Sequence, residues 1–186
     1  MNLMASAFSH ILVAFALGQA QPWKRWPSRF WGLSLFCTLL PDVDVVGFAM
    51  GIPYEHVLGH RGVTHSLVFA VGMGLLVVRI GFPSVDHGSW EWWSLVTHFC
   101  LVTASHGILD ALTDGGLGIA FFAPFDSSRY FFPWTPIKVS PIGISEFFTA
   151  YGMKVLVSEL VWVGIPVGAG LIGIMFIRWR LKSKPS

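Results

Sequence analysis

His106 and Asp110 stand four residues apart in SHGILDALTDGG, residues 105–116, a spacing that stacks two side chains on one face of a helix. An imidazole and a carboxylate so placed can bind one metal ion, and the second carboxylate oxygen can bridge to another. Asp114 extends the row by a turn before Gly115-Gly116 offers a helix stop. H-x-x-x-D alone is a weak signal, and it gains weight from companions. His10 lies in SHILVAF, Asp42 and Asp44 in LPDVD, and His60 and His65 in HRGVTHS. His60 and His65 are five residues apart, about 140° round an ideal helix. They can share a site only if residues 60–64 form a loop, which Gly62 favours. Spacing alone leaves open which histidine of that pair, and which of the two acids, is a ligand.

The elements that must position these residues are apolar. Of 186 residues 54% are hydrophobic and 12% charged, about half the charge of a soluble domain, and the mean hydropathy is +0.65. The apolar residues gather into runs near the ~20 residues that a bilayer span requires. The expectation is an all-α, polytopic transmembrane helical bundle of about five spans, 3–20, 31–50, 64–82, 92–113 and 155–177, forming one membrane-embedded domain. The first run reads as a retained span rather than a signal peptide, because no Lys or Arg precedes it and His10 interrupts it. PDVD, at Pro41 to Asp44, must end the second span or be buried in protein. A net charge of +2, with no basic cluster interleaved with aromatics, excludes a nucleic-acid binder. Cys37 and Cys100 fall inside apolar runs, so no disulfide framework is expected.

Positive charge supplies orientation. Lys24, Arg25 and Arg29 crowd the link after the first run, and Arg178, Arg180, Lys182 and Lys184 crowd the C-terminal tail. With an odd number of spans these clusters share the inner side only if the chain runs N-out, C-in. His10, Asp42, Asp44, His60, His65, His106 and Asp110 then all fall towards the outer face. Two ionisable acids beside a bilayer are costly and mark function. His98, eight residues and about 12 Å before His106, reads instead as an interhelical hydrogen bonder. His87 reads as solvated and His56 as a surface residue. Glu159 is a lesser candidate for the site, and Asp114 serves equally as cap or ligand.

Imidazole and carboxylate donors without an available thiolate point to zinc, with manganese or iron as alternatives. Seven candidate ligands exceed one ion's need, which favours a one- or two-ion site with Asp110 as the bridge. Such a centre activates water and clamps the oxygens of a phosphoester displacement. Arg61, and less strongly Arg129, are candidates to hold phosphate oxygens in a fork. The aromatic, proline-broken segment 117–150 is expected to form an outer lid or wall for an amphiphilic substrate.

SHILVAFALG, LPDVD, GHRGVTHS and SHGILDALTDGG with its FFAPF…RYFFPW sequel together resemble the YdjM-like family from about residue 5 to 150. Its members are inner-membrane proteins described as LexA-regulated, metal-dependent hydrolases. That resemblance implies a bacterial inner-membrane location. The family is in turn distantly similar to the all-helical, zinc-dependent phospholipase C and single-strand nuclease group. This likeness implies one ion on an HRG-motif histidine with His106 and Asp110, and another on His10 with Asp110. The remaining aspartate, Asp42 or Asp44, would then serve as general base or second-ion ligand. Two departures stand out. That group also uses its mature N-terminal amine, and its third ion needs later histidines, whereas none follows His106 here.

The expected function is therefore a membrane-bound metal-dependent hydrolase of a lipid or lipid-linked phosphoester. The rivals are a metal transporter or sensor, which needs ligands at mid-membrane depth, and a non-catalytic protein whose metal only ties helices together.

Overall fold

The structure is a computed structural model and describes residues 3–4, 6–21, 26–141 and 148–182. Lys24, Arg25 and Lys184, used above for orientation, and residues 142–147 of the outer segment lie outside that set. The chain is helical. The only strands among the described residues are β1 (Leu3–Met4) and β2 (Ser140–Pro141), paired antiparallel.

Helix α1 (Ala7–Ala20) is followed by α2 (Ser28–Leu39), which tightens into a 3-10 turn at Leu40–Val45 and resumes as the short α3 (Val46–Ala49). Pro41 sits in the first turn of the 3-10 segment and has no N–H to donate back to the end of α2. A second 3-10 turn, Val63–His65, leads into α4 (Leu67–Gly81). Ser66 caps α4 by accepting a hydrogen bond from Phe69 N at 3.1 Å. Polar residues at the mouth of this apolar run therefore have a structural part as well as a chemical one. Helix α5 (Trp90–Ala111) starts at Ser89, which accepts from Trp92 N, with Glu91 favourably placed in its first turn. Helix α6 (Ala150–Glu159) passes through a π turn at Leu160–Gly164 into α7 (Ile165–Lys182). Pro166 cannot bond the carbonyl four residues back and clashes with it, and the widened turn just before it absorbs both defects.

Helices α4 and α5 form the most extensively packed pair in the bundle. A Cβ on Gly74 would meet the Val96 carbonyl at 2.9 Å as well as the Cys100 sulfur, so the small residue lets the two backbones approach. Phe30, Cys37, Val78, Leu95, Phe99 and Val102 are fully buried in the main core. As expected, His98 is an interhelical partner, with Nε2 2.9 Å from Ser34 Oγ.

Five helical stretches stand where five spans are expected, but their lengths differ. Ser28–Ala49 and Ala150–Leu181 are long and apolar enough to cross a bilayer. The second has almost none of its surface buried within the chain. Helices α1 and α4, at 14 and 15 residues, extend about 21–22 Å at 1.5 Å per residue, short of a ~30 Å hydrocarbon core. Helix α5 has the length, at 22 residues, but Glu91, His98, His106 and Asp110 make it too polar to read as a simple span.

The last helix braces α1 at both ends. Glu159, buried, accepts from Ser6 N at 2.7 Å and from Ser6 Oγ. Arg178 donates to the Gln21 carbonyl just past the other end of α1. Glu159 is therefore a structural acceptor for the N-terminal segment, not a member of the site.

Candidate metal centre

The LPDVD turn separates its two acids. In a 3-10 helix, three residues per turn put positions i and i+2 about 240° apart, so Asp42 and Asp44 leave the chain on different sides. Asp42 faces the HRGVTHS turn and α5. Its Oδ1 lies 3.2 Å from His106 Nε2 and 3.6 Å from His65 Nε2. Asp110 Oδ2 lies 3.5 Å from His65 Nε2 and 3.8 Å from His106 Nε2. Four donor atoms from α2's end, the HRGVTHS turn and α5 thus surround one point.

These distances suit an ion better than a hydrogen-bond network. Donors bonded at about 2.0–2.1 Å to a tetrahedral zinc sit about 3.3–3.4 Å from one another, within the observed 3.2–3.8 Å range. His65 Nε2, His106 Nε2 and Asp42 Oδ1 are buried and have no hydrogen-bond partner among the described residues, an arrangement that is expensive unless something else binds them. The opposite ring nitrogens are engaged. His106 Nδ1–H donates to the Thr38 carbonyl at 2.7 Å, which fixes the tautomer and leaves the Nε2 lone pair pointing at the site. His65 Nδ1 faces Thr64 Oγ1 at 3.1 Å and Asp44 Oδ2 at 3.2 Å. The residues present fit a divalent ion held by two imidazoles and two carboxylates.

Asp44, His60 and His65 form a second grouping, but its geometry is that of hydrogen bonds. His60 Nδ1 is 2.7 Å from Asp44 Oδ1, well below the ligand-to-ligand separation around an ion. Asp44 Oδ2 also accepts from Thr64 Oγ1 at 2.6 Å and Arg61 N at 3.1 Å. Asp44 is an orienting carboxylate that holds both histidines of the turn. His60 Nε2 is buried without a hydrogen-bond partner among the described residues, yet His60 is not one of the four donors.

His10 lies beside the four. Its Nε2 is 3.7 Å from Asp110 Oδ1, the oxygen turned away from the first locus, and its ring stacks on His106 at 3.8 Å between centroids. It is fully buried and both its nitrogens lack hydrogen-bond partners among the described residues. Asp110 therefore lies between the four-donor set and His10. His10 nonetheless belongs to neither grouping, so the second locus is less complete than the first.

Arg61 departs from the expected phosphate fork. Its side chain is fully buried, with Nε 3.3 Å from Asp110 Oδ2, Nη1 donating to Gly115 O at 2.7 Å and Nη2 to Thr113 Oγ1 at 3.1 Å. Its backbone is left-handed at φ +62°, a conformation that costs energy for any residue with a Cβ. A strained, buried arginine of this kind positions Asp110 and joins the two halves of the site. Arg129 likewise spends its guanidinium on protein, donating to the carbonyls of Tyr54, His56, His60 and Gly118. Asp114 is no ligand either. Partial burial opposes ionisation, but Lys138 at 2.5 Å and the Val139 amide hold its carboxyl below the usual range.

Gly116 closes over Arg61. At φ +86°, a Cβ there would lie 2.5 Å from Arg61 Nη1 and 2.9 Å from Tyr54 Oη. Gly116→Ala is expected to lower stability and weaken metal binding together. Gly88, at φ +77° with nothing within 4 Å, isolates backbone strain, worth about 1–2 kcal/mol. Thermal unfolding in detergent should show Gly116→Ala as clearly the worse of the two alanine variants, and equal midpoints would contradict the Arg61 contact.

Segment 117–141 packs as a wall rather than hanging as a loose loop. Ile119, Ala120, Ala123, Ile137 and Val139 are buried, and Ala120 N donates to Arg61 O. Phe122, Phe125, Phe131, Phe132 and Trp134 are exposed. The site opens on the Asp42 side, since Asp42 keeps 16% side-chain exposure whereas His65, His106 and Asp110 have none.

The structure thus combines two apolar helices of spanning length with a buried imidazole–carboxylate cluster. The chain belongs to the YdjM inner membrane protein family, which matches residues 4–181. It is similar to the inner membrane protein YbcI of Escherichia coli (strain K12), with 39% identity over 179 residues, covering 96% of this chain and 100% of that protein. No solved structure matches the chain.

Proposed function

We propose that this protein is a metal-dependent hydrolase of the bacterial inner membrane, acting at its outer face on a phosphoester carried by a lipid or lipid-linked substrate. The observation that carries the reading is the set Asp42, His65, His106 and Asp110, four donor atoms at ligand-like separations, with the outer nitrogen of each imidazole already held. Bound there, zinc, or manganese or iron in its place, supplies a Lewis acid that acidifies water and neutralises phosphoryl charge. Asp42 presents the accessible edge of the site, Asp44 aims the turn's histidines, and Arg61 fixes Asp110. His10 offers a further imidazole on the far oxygen of Asp110 for a second ion.

An N-out, C-in chain with five passages agrees with the braces on α1. Ser6 meets Glu159 at the site's end of the bundle, and Gln21 meets Arg178 at the other. The chain's two ends thus lie at opposite ends of the bundle. With helices this short, the bilayer would thin around α1 and α4.

The test is metal content by mass spectrometry on detergent-purified protein, wild type beside His106→Ala, followed by release of headgroup phosphate from glycerophospholipid in mixed micelles. About one equivalent of metal and measurable turnover, both lost in the variant, are expected. Bound metal with no turnover on any phosphoester would leave a metal that only ties helices together. Metal uptake into proteoliposomes that His98→Ala abolishes would make the protein a transporter.

A further inference from the structure

Helices α1 and α2 leave a groove between them, a cavity of about 480 Å³, within the range of small-molecule sites. Its floor is Ala14 and Ser34, each 3% exposed, and its rims are Ile11 and Leu35, at 38% and 43%. Ser34 turns its hydroxyl inward to Phe30 O and His98, so the surface it leaves is apolar. Phe15 and Trp31 stand at the far end with ring centroids 5.4 Å apart. Trp31 is seated on Gly18, where a Cβ would come within 2.5 Å of the indole.

The near end lies at the metal centre. Ile11 follows His10, and Leu35 is three residues before Thr38, whose carbonyl holds His106 and whose hydroxyl donates to His10 O. From Ile11 to Gln19, which lines the far end, is eight residues, or about 12 Å of helix. That approaches the ~15 Å of one leaflet's hydrocarbon, half of a ~30 Å core. A groove of this length and volume, with an apolar lining, suits a single hydrocarbon chain.

We propose that this groove holds one acyl chain of a bilayer glycerophospholipid, with the carbonyl end at Ile11 and Leu35 and the headgroup directed to the Asp42 side of the metal centre. The inference rests on the reading of that centre as one acting on a lipid phosphoester, and it names how the lipid is held.

Photo-crosslinking in proteoliposomes tests it. Phosphatidylethanolamine carrying a diazirine near the carbonyl end of one acyl chain should label Ile11 and Leu35, and the same lipid with the diazirine near the methyl end should label Phe15 and Trp31. Peptide mass spectrometry reads both. Ala14→Phe fills the floor and should cut labelling at least fivefold, and Leu35→Trp, at an exposed rim, does the same should Ala14→Phe fail to fold. His106→Ala should abolish metal and turnover but keep the labelling, which separates this inference from the hydrolase reading. Labelling spread evenly over every exposed helix, the reverse order of positions, or protein–protein crosslinks through the groove between two copies would each overturn it.

Discussion

Asp110→Asn protein should purify with almost no metal and unfold well below wild type. Asp110 is fully buried and touches His10, Arg61, His65 and His106 at 3.3–3.8 Å. An amide in its place is a poor ligand and carries no charge, so the ion loses one donor of four. Arg61, fully buried beside it, loses its counter-charge, and breaking a buried pair from one side costs about 3–5 kcal/mol. For a chain of this size that is a drop of roughly 6–20 °C in midpoint. The two effects come apart in a double variant. Arg61→Met added to Asp110→Asn removes the orphaned cation, so stability should recover in part while metal stays absent. Wild-type metal content in Asp110→Asn, or no recovery in the double variant, would show that the carboxylate plays neither part.

Asp42→Asn and Asp44→Asn should behave differently, although the acids are two residues apart. Asp42 Oδ1 stands among the four donors with no hydrogen bond among the described residues. Its substitution should abolish binding at any metal concentration that keeps the protein soluble. Asp44 accepts from His60, Thr64 and the Arg61 amide and faces His65 Nδ1. Losing such an orienting carboxylate typically costs 10–100-fold in metal affinity or activity. Asp44→Asn should therefore refill at high metal and regain much of its turnover. Titration of each variant with zinc, read by protein-bound metal after desalting, decides between the roles. The opposite ranking would exchange them.

The sequence made some of this readable and hid the rest for identifiable reasons. His106 and Asp110 were legible because their partnership is a property of helix period, and their shared end with His10, Asp42 and His65 followed from where apolar runs begin and end. Asp42 and Asp44 could not be told apart from spacing, because what distinguishes them is a set of donors at residues 60–65 and the 3-10 turn that carries them. The Thr38 carbonyl that fixes His106 left no trace, since every residue has a carbonyl. Arg61 read as a phosphate fork because its left-handed backbone and complete burial are tertiary facts. Span lengths were overread at α1 and α4, where Ser6 and Ser66 start the helices later than hydropathy does.

The braces on α1 bear on the order in which the molecule is made. The four clustered donors lie between residues 42 and 110 and His10 precedes them, yet the helix that clamps α1 at Ser6 and Gln21 follows them all in the chain. A nascent chain inserted as far as α5 already holds all its donors, but the helix bearing His10 is still unclamped. The contacts that brace α1, and with it His10, form only once residues 159–178 have been made, after all four clustered residues are already in the chain.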